Sequence, residues 1–308
     1  MKNNYGKLSL HLRAANTELI GAEDYSSHYE RWGGSFINHP EVLRYFAETH
    51  HVTPAFRGYF RAGRCIGAVA TWGSFVAGDR SALHAFQLED RDDFGYPLVY
   101  LPIDPQYACT VRFKARYLIN PQRPQIGGAV FTRLKKMALL KNIPDALLTG
   151  KKEYQIKERR FQRSGGTIRD IHEFSCDEIV TMYTDLFYQR WQRAPHAIGS
   201  LKRTIGALQK FLFGKILWLE GRPIAIQLNY RAETARTICI DYINGGVDKS
   251  LKELSPGSLL SYINGRDACA DSQRSGKLLF YSYGKANTDY KNQWCDRVSR
   301  GFTGVWLP

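Results

Sequence analysis

In KLLFYSYGKANTDYKNQW, residues 277–294, the apolar side chains Leu278, Leu279, Phe280, Tyr281 and Tyr283 make the short run of a buried strand, and the run stops at Gly284. The chain then turns through polar residues to Tyr290 and Lys291, with Trp294 close behind. A strand that delivers a tyrosine and a lysine to its exit has the layout of a site.

Upstream, Ser255-Pro256-Gly257-Ser258-Leu259-Leu260 opens a helix. Ser255 can cap it, Pro256 suits the first helical position, and Gly257 lets a ligand approach the amides of the first turn. Those amides and the helix dipole suit a phosphate, although the same residues also make an ordinary helix cap. Before this helix, Thr237 to Ile243 reads as a strand whose alternation sets Asp241 opposite Ile238, Ile240 and Tyr242.

Further back stands the clearest hairpin in the chain, Lys215 to Leu219, turning at Glu220-Gly221. Its second strand alternates Ile224, Ile226, Leu228 and Tyr230 with Ala225, Gln227 and Asn229, the pattern of a strand with one wet face. Two helices precede it, one opened by the capping-box spacing Ser175 to Glu178 and one starting at Ser200. In the first half, Pro40 starts a helix, Phe56 to Trp72 forms a hairpin turning at Ala62-Gly63, and Pro97 to Ile103 and Thr110 to Ile119 read as strands. Gly127-Gly128 is expected to open a helix with Val130, Leu134, Met137 and Ala138 inside, followed by a strand at Ala146 to Leu148. The halves echo each other: each has a hairpin turning at a glycine, a helix, a strand, and Gly-Lys followed by acid-Tyr, at Gly150-Lys151 and Gly284-Lys285. We therefore expect a tandem repeat of one α/β unit, with a first half over 1–170 and a second over 171–308.

The 308 residues are 44% hydrophobic and 23% charged, enough apolar material for a packed core. The six cysteines lack the close spacing of zinc or redox motifs and read as free thiols in a reducing compartment, and no metal site is expected. The first residues lack the apolar run of a signal peptide, and nowhere do about 18 apolar residues follow one another, so no transmembrane segment is expected. Nucleotide-binding loops of the GxxxxGK[ST] and GxGxxG types and a GxSxG nucleophile elbow are missing, which excludes ATP hydrolysis and serine-hydrolase chemistry. Net charge is +14, and Arg112 to Arg169 holds fifteen Lys or Arg against three acids. Such a segment is either a solvated basic face or the seat of an anionic partner, with Lys151, Lys152, Arg159 and Arg160 as the residues to meet it. It has no helix-turn-helix or zinc-finger pattern, so no DNA partner is expected.

The strand ending at Gly284, the Tyr290-Lys291 pair and the Ser255 to Leu260 helix start resemble the GNAT acyltransferase superfamily, in particular its FemAB-like, peptide-bridge branch. The block from Tyr25 to Tyr45, with Arg31-Trp32-Gly33-Gly34-Ser35 and His39-Pro40, resembles the macrophage-inducible (Mig) antimicrobial-peptide resistance family, grouped with those transferases. The resemblance implies an α/β fold of tandem GNAT-like units, mixed central sheets flanked by helices. It implies an acyl- or aminoacyltransferase with Asp241 as general base, Tyr290 returning a proton to the leaving group, and Lys291 neutralising a phosphate or carboxylate. Ser255, Gly257 and Ser258 would hold the pyrophosphate of acyl- or acetyl-coenzyme A. Ser-Pro-Gly departs from the superfamily's glycine-rich pattern there, and FemAB-like relatives take aminoacyl-tRNA as donor instead. The implied role is bacterial survival of cationic antimicrobial peptides, in the cytoplasm at the inner face of the membrane, on a phosphate-bearing or lipid substrate. The alternative is a catalytically inactive GNAT-like protein bound peripherally to anionic lipid or peptide.

Overall fold

The computed structural model describes residues 13–14, 16–141, 152–287 and 289–304. Its first elements are β1 (Arg13–Ala14), β2 (Thr17–Leu19), α1 (Ala22–Trp32), α2 (Pro40–His50), β3 (Ala55–Arg61), β4 (Arg64–Trp72), β5 (Phe75–Val76) and α3 (Arg80–Ala85). Next come β6 (Ala108–Thr110), β7 (Ala115–Ile119), β8 (Ile126–Gly127), β9 (Val130–Leu140), α4 (Lys152–Arg163), β10 (Thr167–Asp170), α5 (Cys176–Trp191) and α6 (Leu201–Leu208). The last are β11 (Lys215–Leu219), β12 (Arg222–Glu233), β13 (Thr237–Val247), α7 (Pro256–Ser275), β14 (Leu278–Lys285) and β15 (Cys295–Thr303).

An eight-stranded mixed sheet, ordered β10-β11-β12-β13-β14-β9-β15-β7, is the frame; β2-β3-β4-β5 and β1-β6-β8 form two smaller sheets. Apolar residues of α1, α2, α5 and α6 pack with Ile226, Leu228 and Tyr230 on one face of the frame. On its other face α4 and α7 pack with Ala225, Ile238, Ile240 and Tyr281. β12 is therefore covered on both sides from Ile224 to Tyr230, and the wet face expected from its alternation is absent.

The local signals that carry a cap or a turn hold. Ser175 and Glu178 exchange hydrogen bonds at the start of α5, with the Ser175 amide donating to Glu178 Oε2 at 2.8 Å. His39 Nδ1 accepts from the Glu41 amide before Pro40. Both hairpins turn through two residues of positive φ, Ala62 and Gly63 at 47° and 74°, Glu220 and Gly221 at 52° and 76°, the backbone that a two-residue hairpin demands. The two hairpins thus share the turn that their sequence echo predicts.

Two further expectations are corrected. Residues 130–140, read as a helix opened by Gly127-Gly128, form the central strand β9 between β14 and β15. Met137, Ala138, Leu139 and Leu140 are all buried because both faces of that strand are covered, and a continuous apolar run of this kind mimics helical spacing. Pro97 to Ile103, read as a strand, is an irregular buried segment whose backbone pairs with strands only through isolated bridges at Val99 and Ile103. Side chains satisfy its amides: Leu98 donates to Asp241 Oδ1 at 3.0 Å, Tyr100 to Ser35 Oγ at 3.2 Å, and Leu101 to Gln122 Oε1 at 2.7 Å. The expected helix of the first half thus has no counterpart in that half's echo, and the expected strand at 146–148 with Gly150-Lys151 lies outside the described residues. The eight-stranded sheet takes β7, β9 and β10 from before residue 171 and the rest from after it, so its strands cross that sequence position.

Candidate functional site

β13 and β14, which precede and follow α7 in the chain, run parallel and are paired from Thr237↔Leu278 to Asp241↔Ser282. Beyond that pair they part. β13 continues to Val247 hydrogen-bonded to β12, past a register shift at Leu228/Asn229, while β14 continues to Lys285 beside β9. Gly284 takes a left-handed φ of 71° that assists the departure. The wedge between the strands is a cavity of ≈ 210 Å³.

Its wall is built from several elements. Tyr242, Gly245 and Val247 come from β13 past the last pair, Tyr283 from β14, Gly257, Ser258 and Ser261 from the start of α7, and Arg190 from α5. Pro256 has no amide and the Leu259 amide bonds back to Ser255, so Gly257 and Ser258 carry the first-turn donors that helix geometry leaves unpaired. A Cβ on Gly257 would lie 3.1 Å from Val247 Cγ1, so this wall admits backbone and little else. Arg190 reaches the same space with Nη1 donating to the Gly245 carbonyl at 3.0 Å. It gets there because Gly246 lets α5 lie against β13: a Cβ on Gly246 would stand 2.5 Å from backbone atoms of Leu186 and Phe187.

The Tyr283 hydroxyl is the polar group left over. Its ring stacks on those of Tyr242 and Tyr281, at 5.2 and 4.9 Å, and the side chain is 2% exposed, yet the hydroxyl finds no hydrogen-bond partner among the described residues. Burial pushes its acidity far down, so it stays a neutral donor. Behind the wedge runs a buried polar chain. Ser261 Oγ donates to the Gly257 carbonyl and accepts from Gln227, whose Oε1 accepts from Asn264, whose Oδ1 accepts from the Lys215 amide.

Of the residues singled out from sequence, Gly257 and Ser258 line this cavity. Ser255 stands just outside with φ 46°, and its hydroxyl donates to the Lys252 carbonyl instead of capping α7. Asp241 faces the other side of β13 from Tyr242 and is not on a wet face: it is 2% exposed, Oδ1 accepts from Leu98, and Oδ2 has no partner among the described residues. Burial raises its pKa to about 7. Lys291 Nζ donates to the carbonyls of Tyr283 and Lys285, both at 2.7 Å, so it clamps the end of β14; burial lowers its pKa. Tyr290 belongs to a 3-10 turn over Asp289–Gln293, and its side chain lies outside the described part. Lys152, Arg159 and Arg160 are exposed on α4, and Lys151 lies outside the described residues. α4 braces the wedge from behind, Tyr154 packing on Tyr262 and on Trp294 at 5.3 and 4.8 Å.

A family model described as Mig-14 matches residues 39–301, which span the wedge, both hairpins and α1's partner α2. The chain belongs to the Mig-14 family. Among solved structures, FemX is similar over 94% of this chain and 97% of its own, at 9% identity and a TM-score of 0.55. L-PGS from Bacillus licheniformis is similar over 94% of this chain and 95% of its own, at 13% identity and a TM-score of 0.46. No protein of curated function matches the chain in sequence. The fold of this Mig-14 family chain is the tandem GNAT-like α/β arrangement anticipated from its sequence, with the FemX likeness carrying that conclusion. Among the described residues no three His, Cys, Asp or Glu side chains converge as metal ligands, and no helix is long and apolar enough to cross a membrane.

Sequence reading missed Arg190, Tyr242 and Tyr283 as wall residues. Arg190 carries a signal in hindsight, a cation closing the apolar stripe of α5, but its target Gly245 is 55 residues away. For the tyrosines the strand alternation was legible, and what it could not say is which face opens.

Proposed function

We propose that this Mig-14 family protein is an acyl- or aminoacyltransferase that seats its donor in the wedge between β13 and β14. The observation that carries this reading is the parting of two parallel strands directly beside the unpaired amides of Gly257 and Ser258. Those amides and the Arg190 guanidinium make a site for a phosphate of acyl- or acetyl-coenzyme A, or of the terminal nucleotide of an aminoacyl-tRNA. Tyr283, a neutral buried donor, is placed to hydrogen-bond a carbonyl or leaving group in the wedge. An activated ester or thioester needs mainly orientation toward an amine or hydroxyl acceptor, and positioning supplies much of the rate. Lys291 contributes by fixing the strand end that presents Tyr283. The biological reading is resistance to cationic antimicrobial peptides through modification of a phosphate-bearing envelope component at the cytoplasmic face of the inner membrane.

Coenzyme A, acetyl-coenzyme A and aminoacyl-tRNA are to be titrated against the protein by calorimetry. Binding of one of them is expected, weakened at least about tenfold, or ~1.4 kcal/mol, by Gly257→Trp and by Arg190→Gln. Failure of all three to bind, or binding indifferent to both substitutions, rejects the reading.

One observation favours a second reading, a non-catalytic protein held peripherally on anionic lipid: no carboxylate of the described residues lines the wedge, and Asp241 faces away from it. On that reading the exposed Lys152, Arg159 and Arg160 of α4 meet the headgroups. Sedimentation with anionic vesicles should then fall when these three are neutralised and should weaken with salt; sedimentation that ignores both counts against it.

A further inference from the structure

Where the β1-β6-β8 sheet meets the edge of the β2-β3-β4-β5 sheet, a pocket of ≈ 280 Å³ is lined by Asn16, Thr17, Tyr59, Thr110, Arg112 and Phe113. It shares no residue with the wedge and lies against a different sheet. Its lining is rich in donors and contains no acid among the described residues.

Tyr59 forms the floor. It is 0% exposed on β3, opposite Thr17 of β2, and its hydroxyl has no hydrogen-bond partner among the described residues. Buried hydroxyls are almost always bonded, so an unpartnered one on a residue that lines a pocket marks a place for an acceptor. Two cations border it. Arg112 lines the pocket, and Arg57, two residues before Tyr59 and so on the same face of β3, holds its guanidinium 5.6 Å from the centre of the Phe113 ring. Both act on Tyr59 electrostatically. Arg57 Nε is itself buried without a partner among the described residues.

We infer that this pocket is a second anion site, taking a phosphate group with Tyr59 and the threonine hydroxyls as donors and Arg112 and Arg57 as counter-charges. The phosphate is either free in solution or the headgroup of an anionic lipid. A planar guanidinium set against a tetrahedral oxyanion is the pairing that Arg is suited to.

The test uses the full chain carrying Gly257→Trp, which closes the wedge as a competing site. Inorganic phosphate is titrated by thermal shift in a phosphate-free, low-salt buffer, and co-sedimentation is run with phosphatidylglycerol and with phosphatidylcholine vesicles. Tyr59→Phe removes a hydroxyl that bonds nothing among the described residues, so its circular dichroism and melting temperature without phosphate should match the parent. The expected result is binding of phosphate, or selective binding of phosphatidylglycerol vesicles, that weakens at least about fivefold in Tyr59→Phe and in Arg112→Gln. A response to free phosphate identifies a soluble source; a response to vesicles alone identifies a headgroup, and either supports the site. No binding of either probe, or binding that both substitutions leave intact, overturns it. Because the wedge is closed throughout, loss of the donor reading would not produce or mask either outcome.

Discussion

At pH 8, Asp241→Asn is expected to make the protein more stable by up to about 4 kcal/mol, while near pH 4 the two proteins should unfold almost alike. The carboxyl is buried, only Oδ1 has a partner among the described residues, and its pKa stands at about 7 against 3.8 in the unfolded chain. A raised folded pKa means that the group's contribution is complete below the unfolded value and is lost as pH climbs through the folded one. The native protein therefore gives up stability across pH 4 to 7, at about 1.36 kcal/mol for each pH unit crossed. Asparagine keeps an oxygen for the Leu98 amide and cannot ionise, so it does not give that stability up. Thermal melts of both proteins at pH 4.5 and pH 8 decide the matter; a difference that does not grow with pH shows that Asp241 is not held protonated by its surroundings. The same variant bears on chemistry. Because Asp241 faces away from the wedge, donor binding should survive the change.

Elements whose instructions are local were legible in the sequence. The Glu220-Gly221 turn, the Ser175 capping box and Pro40 at the start of α2 specify backbone geometry within four residues, and each appears as read. β9 was not legible, because its run Met137 to Leu140 is buried on both faces, Met137 and Leu139 in one core cluster and Ala138 and Leu140 in the other, and its ladder partners β14 and β15 lie about 140 to 160 positions away. Pro97 to Ile103 has the composition of a strand, but Ser35, Gln122 and Asp241 replace the ladder that a strand would need. At the site, Gly257 and the stop at Gly284 were readable as a place. Roles were not: Lys291 bonds carbonyls of β14, Ser255 does not cap, and Arg190 joins the wedge from another helix.

The largest loss of stability is expected from Asp92→Ala, about 3–5 kcal/mol by chemical denaturation near neutral pH. Asp92 sits in the segment between α3 and β6 and gathers groups from α2 before it and α6 after it. Tyr45 donates from α2 to Oδ2 at 3.0 Å, His50 Nε2 also contacts Oδ2, and Thr204 donates from α6 to Oδ1 at 2.6 Å. Arg203 Nη2 stands 3.5 Å from Oδ1. Burial works against the charge, but the hydrogen bonds from Thr204, His50 and Tyr45 outweigh it and hold the carboxyl below its usual range. A depressed folded pKa contributes stability that is present above the unfolded value and is lost only as pH falls below it, so the full effect should be seen at pH 7. Alanine would strand several buried donors at once, whereas removing any one of them leaves the others bonded; Tyr45→Phe should therefore cost only about 1 kcal/mol. A loss under about 1 kcal/mol for Asp92→Ala would mean that water or a shifted α6 takes over the acceptor's place. Since α6 packs on α5, and α5 carries Arg190, loosening this junction should also weaken donor binding in the wedge without touching any residue that lines it.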